Sequence, residues 1–184
     1  MGSAGPWARH FRQTFDWRAL AAEIRMAISQ RGLTGTDVYF ITASTYQKKH
    51  ILQSARMADL FFDVLFHYKD QNKYLLHEFV IMPNHFHLLI TPTGALERAL
   101  QFIKGGFSYR AKLDWVGAIW QPSFYDRRVR DFEEYCAFRN YIWQNPVKRR
   151  LVERAELYPY CSARAGFCLD AVPQRLKPGL EQLA

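Results

Sequence analysis

Apolar residues recur along this chain with two periods, and the alternation between them lays out its elements. Between residues 16 and 31, Asp16 precedes Trp17, Leu20, Ala21, Ile24 and Ile28, which fall on one face of a helix. Gly32-Leu33-Thr34-Gly35 breaks that period and reads as a linker. Residues 38–42 are β-branched and aromatic, as a strand requires, and a basic turn, Gln47-Lys48-Lys49-His50, follows. Ser54 opens a second helix with the stripe Met57, Leu60, Phe61, Val64, Leu65 and Tyr68. Two apolar runs, 74–82 and 85–91, are split by Pro83-Asn84, which predicts a β-hairpin.

A third helix is expected from 93 to about 113, with Leu96, Leu100, Ile103 and Phe107 on one face. Gly105-Gly106 lies inside it. Each glycine weakens a helix by about 1 kcal/mol relative to Ala, so the pair predicts a kink or a close backbone approach. A short strand is expected near 127–130. A fourth helix starts near Asp131 and is expected to end by Asn145, because Pro146 restricts the residue before it. The order after the first helix is βαββαβα, with no internal repeat. That is an α+β fold with a ferredoxin-like βαββαβ core, an antiparallel sheet carrying helices on one face and leaving the other for a site. The organisation expected is 1–35 as helix and linker, 36–163 as the sheet domain, and 164–184 as a tail whose last ~15 residues are loose.

Composition narrows the partners. The chain has 184 residues, enough for one domain, and its 49% hydrophobic and 16% aromatic content excludes a disordered protein. Its net charge of +8, from 25 Lys and Arg against 17 Asp and Glu, points to a polyanion: nucleic acid or an acidic membrane surface. No apolar run is long enough to span a bilayer and the N-terminus lacks a signal-peptide core, so a cytoplasmic protein without a membrane partner is expected. Cys136, Cys161 and Cys168 form no CxxC pair, which excludes a zinc finger and a disulfide framework.

Two spacings carry chemistry. In His85-Phe86-His87 the two imidazoles point to one face of a strand, with Phe86 opposite. Such a pair either shares a divalent metal or consists of two separately hydrogen-bonded rings. In Tyr141-Ile142-Trp143-Gln144-Asn145-Pro146, Tyr141 and Asn145 stack one helical turn apart. An amide oxygen suits a hard cation, and a phenol one turn away would lie close to it. Otherwise Tyr141 is a packing residue and Asn145 a helix C-cap.

Taken together, Met82-Pro83-Asn84 before His85-Phe86-His87 and a downstream Tyr141 to Pro146 resemble the REP-associated tyrosine transposases of the single-tyrosine HUH superfamily. The likeness extends through Phe102-Ile103-Lys104-Gly105-Gly106-Phe107-Ser108, Ile119-Trp120-Gln121-Pro122 and Tyr158 to Ala163. The resemblance implies that 36–163 is an HUH transposase domain. It implies metal-dependent cleavage and rejoining of single-stranded DNA beside hairpins, with Mg²⁺ or Mn²⁺ as cofactor and a 5′-phosphotyrosine intermediate. Tyr141 is then the nucleophile, His85 and His87 are metal ligands, and Asn145 stands at the third-ligand position.

Lys104, Arg128, Arg130, Lys148, Arg149 and Arg150 are the expected DNA contacts, of the kind that positions backbone without reading sequence. Arg128 and Arg130 are expected on one face of the short strand. The partner is single-stranded or hairpin DNA, located at the nucleoid, with a monomer favoured over a dimer. The competing function is a non-catalytic hairpin-binding regulator derived from a transposase. A replication initiator or relaxase fits less well, given the small size and the lack of a second tyrosine in helical register.

Overall fold

The computed structural model describes residues 36–177. The helix expected at 16–31 lies outside them. Strand β1 (Tyr39–Ser44) leads through a short 3-10 turn (Tyr46–Lys48) into α1 (Ala55–Asp70), followed by β2 (Tyr74–Met82) and β3 (His85–Pro92). Next come α2 (Leu96–Leu100), a π-helical turn (Gln101–Gly105) and α3 (Gly106–Ala111), then β4 (Tyr125–Arg128) and α4 (Phe132–Lys148). The sheet order is β2-β3-β1-β4, with every neighbouring pair antiparallel. This is the ferredoxin-like arrangement read from the element order.

Local chemistry accounts for the boundaries. The Ser54 hydroxyl accepts from the Met57 amide and caps α1, and the Asp131 carboxylate accepts from the Glu134 amide at 2.8 Å and caps α4. Pro83 and Asn84 join β2 to β3 with Met82 directly opposite His85. This turn is held from outside. The Asn84 carbonyl accepts from the Thr45 amide (3.0 Å) and the Pro83 carbonyl from the Leu52 amide (2.9 Å).

Alternation on the strands separates two cores. Tyr39, Ile41, Phe79, Ile81, Phe86, Leu88 and Ile90 face α1 to α3. Phe40, Val80, Met82 and Leu89 face the other way, where Phe138 and Ile142 of α4 cover them. The face expected to be free for a site therefore carries the last helix, and the histidines of β3 lie under it. The α4 helix is also anchored at its flank: Trp143 Nε1 donates to Glu78 Oε2 (2.9 Å), which also accepts from the Ser162 hydroxyl (2.6 Å).

Three expectations are corrected. The fourth strand is Tyr125–Arg128, so Arg130 lies beyond its end. Pro146 does not stop α4; the helix runs on to Lys148, with the Arg149 amide donating to the Asn145 carbonyl at 3.0 Å. Proline removes one helical hydrogen bond, and here both Pro146 and Asn145 are buried, so packing outweighs that loss. The end of the tail is expected to be loose, yet its described part, 170–177, is tied down: Arg175 Nε donates to the Thr36 carbonyl at 2.9 Å and Leu176 is buried. The Phe167 ring packs against Phe62, Phe66 and Phe79, and the Leu76 amide donates to Asp170 Oδ2 at 2.8 Å.

The two glycines differ. A Cβ on Gly106 would meet the Tyr68 ring at 2.5 Å, whereas one on Gly105 would meet nothing within 4 Å. The close approach expected from the pair is thus the contact between α3 and α1. Gly106→Ala should lower the melting temperature, at a cost of about 1–3 kcal/mol from overpacking. Gly105→Ala should leave it unchanged or raise it slightly, since Ala favours helix. Equal effects in thermal melts would remove this distinction.

Candidate active site

The site is built on one stripe of the sheet and one of α4. On β3, His85 and His87 share a face, and Thr42 of β1 stands opposite His87. On α4, Phe138, Ile142 and Asn145 turn toward the sheet and are buried, with Tyr141 at the edge of that stripe. Phe40 forms the floor. Its ring stacks on Phe138 at 4.3 Å and on His87 at 5.5 Å, and meets Tyr141 edge-on at 5.8 Å. The His85 and His87 rings lie 4.9 Å apart, and the His87 and Tyr141 rings 5.0 Å apart. Four residues spread from 85 to 145 therefore meet at one end of the sheet.

Each imidazole is held through its Nδ1. His85 Nδ1 donates to Asn84 Oδ1 at 2.7 Å, and His87 Nδ1 shares a hydrogen bond of 2.7 Å with the Thr42 hydroxyl. That engagement leaves each Nε2 as the nitrogen turned to the site. His87 Nε2 and Asn145 Oδ1 are both buried with no hydrogen-bond partner among the described residues. An orphaned buried polar atom costs about 1–3 kcal/mol, and two in one site fit a cation that accepts both lone pairs. Asn145 is inside α4, not at its end, so it is not the C-cap that its position before proline allowed. Among the described residues no three His, Cys, Asp or Glu gather together; the donor set here is two imidazoles and an amide, which suits a divalent ion.

Electrostatics favour neutral imidazoles. Burial pushes the His85 imidazole down to about 4; the Arg149 charge adds to this and Asn145 opposes it. Burial also holds His87 well below its ordinary value, with His85 and Arg149 contributing. The Tyr141 phenol is raised, chiefly by burial, while the Asn145 side chain and Arg149 pull it back. The Lys148 ammonium lies 5.7 Å from the centre of the Tyr141 ring.

A histidine kept neutral by the fold stabilises it less as acid protonates the unfolded chain. Below 6.5 the unfolded His85 takes a proton that the folded one refuses until about pH 4. Over that window His85 alone removes up to roughly 3 kcal/mol. His85→Asn should therefore flatten the fall in stability between pH 7 and 4.5, measured by urea unfolding without metal. An identical fall in the variant would mean that other groups set the acid limit.

The expected DNA contacts divide. Lys148, Arg149 and Arg150 follow Asn145 and are all exposed; Lys148 lies against the Tyr141 ring and the Arg149 charge acts on His85 and Tyr141. Lys104 is half-buried, and its ammonium donates to the Gln121 carbonyl at 2.9 Å; the Gln121 amide in turn donates to the Ser44 carbonyl (3.0 Å), next to the site. Arg128 and Arg130 do not share a strand face. Arg128 stands opposite Tyr39, at the far end of β1 and on the other side of the sheet from the histidines, bonded to Asp37 at 3.4 Å. Arg130 lies at the start of α4, paired with Glu134 at 3.3 Å.

Sequence reading missed Thr42, Asn84 and Lys48 as neighbours of the histidines. Asn84 was visible beside His85; nothing in the order of residues points to Thr42, which reaches His87 only through strand pairing. Of the other tyrosines, Tyr135 is buried beside Glu78 and Tyr109 is 70% exposed, and neither approaches the histidines.

Comparisons with known proteins place the fold and the family. The REP-associated tyrosine transposase of Escherichia coli (strain K12) is 28% identical over 95 residues, which cover 50% of this chain and 56% of that protein. This chain thus matches just over half the length of that relative. A solved structure of a REP-associated tyrosine transposase bound to a REP hairpin superposes with a TM-score of 0.64 at 21% identity, covering 80% of this chain and 96% of that one. That likeness establishes the shared fold. The description of the family "Transposase IS200 like" matches residues 36–145, which hold β1 to β4, both histidines, Tyr141 and Asn145. The chain belongs to the IS200-like transposase family.

Proposed function

We propose that this protein cleaves and rejoins single-stranded DNA beside REP-like hairpins, through a covalent 5′-phosphotyrosine on Tyr141. The observation that carries this reading is the convergence of two oriented imidazoles, an unpartnered buried amide oxygen and a phenol in one site.

His85 Nε2, His87 Nε2 and Asn145 Oδ1 would hold Mg²⁺ or Mn²⁺. When bound, the ion offsets the negative charge of a nonbridging phosphate oxygen that otherwise repels a nucleophile. Mg²⁺ is favoured by availability and Mn²⁺ by its affinity for imidazole. Tyr141 Oη attacks the phosphorus as its proton leaves, the bond from phosphorus to the 3′-oxygen breaks, and that oxygen departs as a free 3′-hydroxyl. A phenol normally near 10, raised further by burial, is protonated before attack. The Asn145 side chain and the Arg149 charge both favour the phenolate, so they lower the cost of losing that proton. The phosphotyrosine conserves the energy of the broken bond, and a 3′-hydroxyl attacking it reverses the step without ATP.

Lys148, Arg149 and Arg150 lead the DNA backbone into the site. Tyr141 meets the histidines of its own chain, which supports action as a monomer. Among the described residues no helix is long and apolar enough to cross a membrane, and the substrate places the protein at the nucleoid.

Incubation with a labelled hairpin oligonucleotide and Mn²⁺ should yield a denaturation-resistant protein–DNA adduct that chelation abolishes. Tight hairpin binding with no adduct under any divalent ion would instead identify a binding-only regulator.

A further inference from the structure

We propose that a second cleft, beside the β2–β3 turn, seats an unpaired nucleobase of the strand being cleaved. This inference rests on the DNA reading above and adds a subsite to it. The cleft has a volume of about 550 Å³ and opens between the start of α1 and the turn after α3, among His50, Gln53, Met57, Asp114 and Trp115. Ligand sites commonly fall in this size range.

Its position ties it to the candidate active site. The segment that forms one wall is bonded to the turn carrying His85: the Leu52 amide donates to the Pro83 carbonyl (2.9 Å), and Asn84 Nδ2 donates to the Lys48 carbonyl (3.3 Å). A strand leaving His85 over this turn meets Lys48 and Lys49 and then the cleft. Neither lysine pairs with a carboxylate among the described residues. Gln47 and Lys48 hold the left-handed backbone (φ 53° and 54°) that shapes this loop, so two unneutralised cations lie between site and cleft to hold phosphates.

Its chemistry selects a flat heterocycle with acceptor atoms. Trp115 Nε1 is buried with no hydrogen-bond partner among the described residues, a donor left for something absent from the fold. Gln53 Oε1 is engaged by His50 Nδ1 at 3.1 Å, which leaves the Gln53 amide N–H groups as further donors. The Asp114 carboxylate is clamped by Arg56 at 2.7 and 3.1 Å, so it does not present bare charge to a polyanion. Met57 and Ile51 supply apolar wall. Indole surface, donors and flanking lysines are the combination that holds unpaired bases.

The test is fluorescence anisotropy with a hairpin oligonucleotide whose flanking single strand carries an abasic position, moved one nucleotide at a time. One position should weaken wild-type binding about tenfold. In Gln53→Ala and Trp115→Phe, binding of the intact strand should already be weaker, and the same abasic position should cost little more. Gln53 is exposed, so its variant reports even where Trp115→Phe disturbs packing. If wild type binds and forms adduct, yet no abasic position couples to either substitution, the cleft inference is wrong and the proposed function stands. A wild type that neither binds hairpin DNA nor forms adduct overturns both.

Discussion

Replacing Tyr141 by Phe should abolish the covalent adduct while leaving hairpin binding nearly unchanged. The expected loss of cleavage is at least about 10³-fold, because removing a nucleophile removes the step itself, not one of its supports. The substitution deletes one oxygen and keeps the ring, so the edge contacts with Phe40 and His87 at 5.8 and 5.0 Å survive. Thermal stability should change little. A Tyr141→Phe protein that still forms adduct would transfer the role to another tyrosine; Tyr135, buried beside Glu78, and Tyr109, on the outside of α3, are both badly placed to take it.

His87→Ala should remove both divalent-ion binding and cleavage. The ring stacks on Phe40 and meets Tyr141 edge-on, and its Nε2 has no hydrogen-bond partner among the described residues. Truncation also opens a cavity in a buried site and costs stability, so loss of cleavage alone is not decisive. Mn²⁺ binding followed by electron paramagnetic resonance supplies the separate readout, and Thr42→Val supplies a milder variant. That change keeps the ring and removes the 2.7 Å hydrogen bond on Nδ1. Loss of such an orienting partner typically weakens metal affinity about 10–100-fold, and cleavage should recover as Mn²⁺ is raised. Unaltered Mn²⁺ affinity in His87→Ala would rule the histidine out as a ligand.

Much of this protein was legible along the chain because its signals are local. The period-two alternation of β2 and β3 broken by Pro83-Asn84, the helical stripe after Ser54 and the cap at Asp131 depend only on near neighbours. The same holds for the shared face of His85 and His87, which follows from strand pleat, and for the stacking of Tyr141 over Asn145, which follows from helix pitch. The end of α4 is not legible in this way: the effect of Pro146 on its neighbour is local, whereas the helix runs on to Lys148 with Asn145 and Pro146 buried by long-range packing. Arg128 and Arg130 were grouped by alternation on a strand that stops between them.

The order of residues lays down the elements, their succession and the four residues, His85, His87, Tyr141 and Asn145, that resemble a transposase centre. That these residues meet depends on long-range packing, since β1 to β3 and α4 must come together before His87 can touch Thr42, Phe40 and Tyr141 at once. Tertiary packing also sets the state of the site's polar groups: burial, which no residue carries in its name, lowers both imidazoles and leaves His87 Nε2 and Asn145 Oδ1 without partners among the described residues. Charge behaved the same way. The sequence supplied a surplus of cations, and the fold divided them, setting Arg128 and Arg130 against acidic neighbours and leaving Lys48 and Arg149 beside the site, because only proximity in three dimensions determines which charges are neutralised.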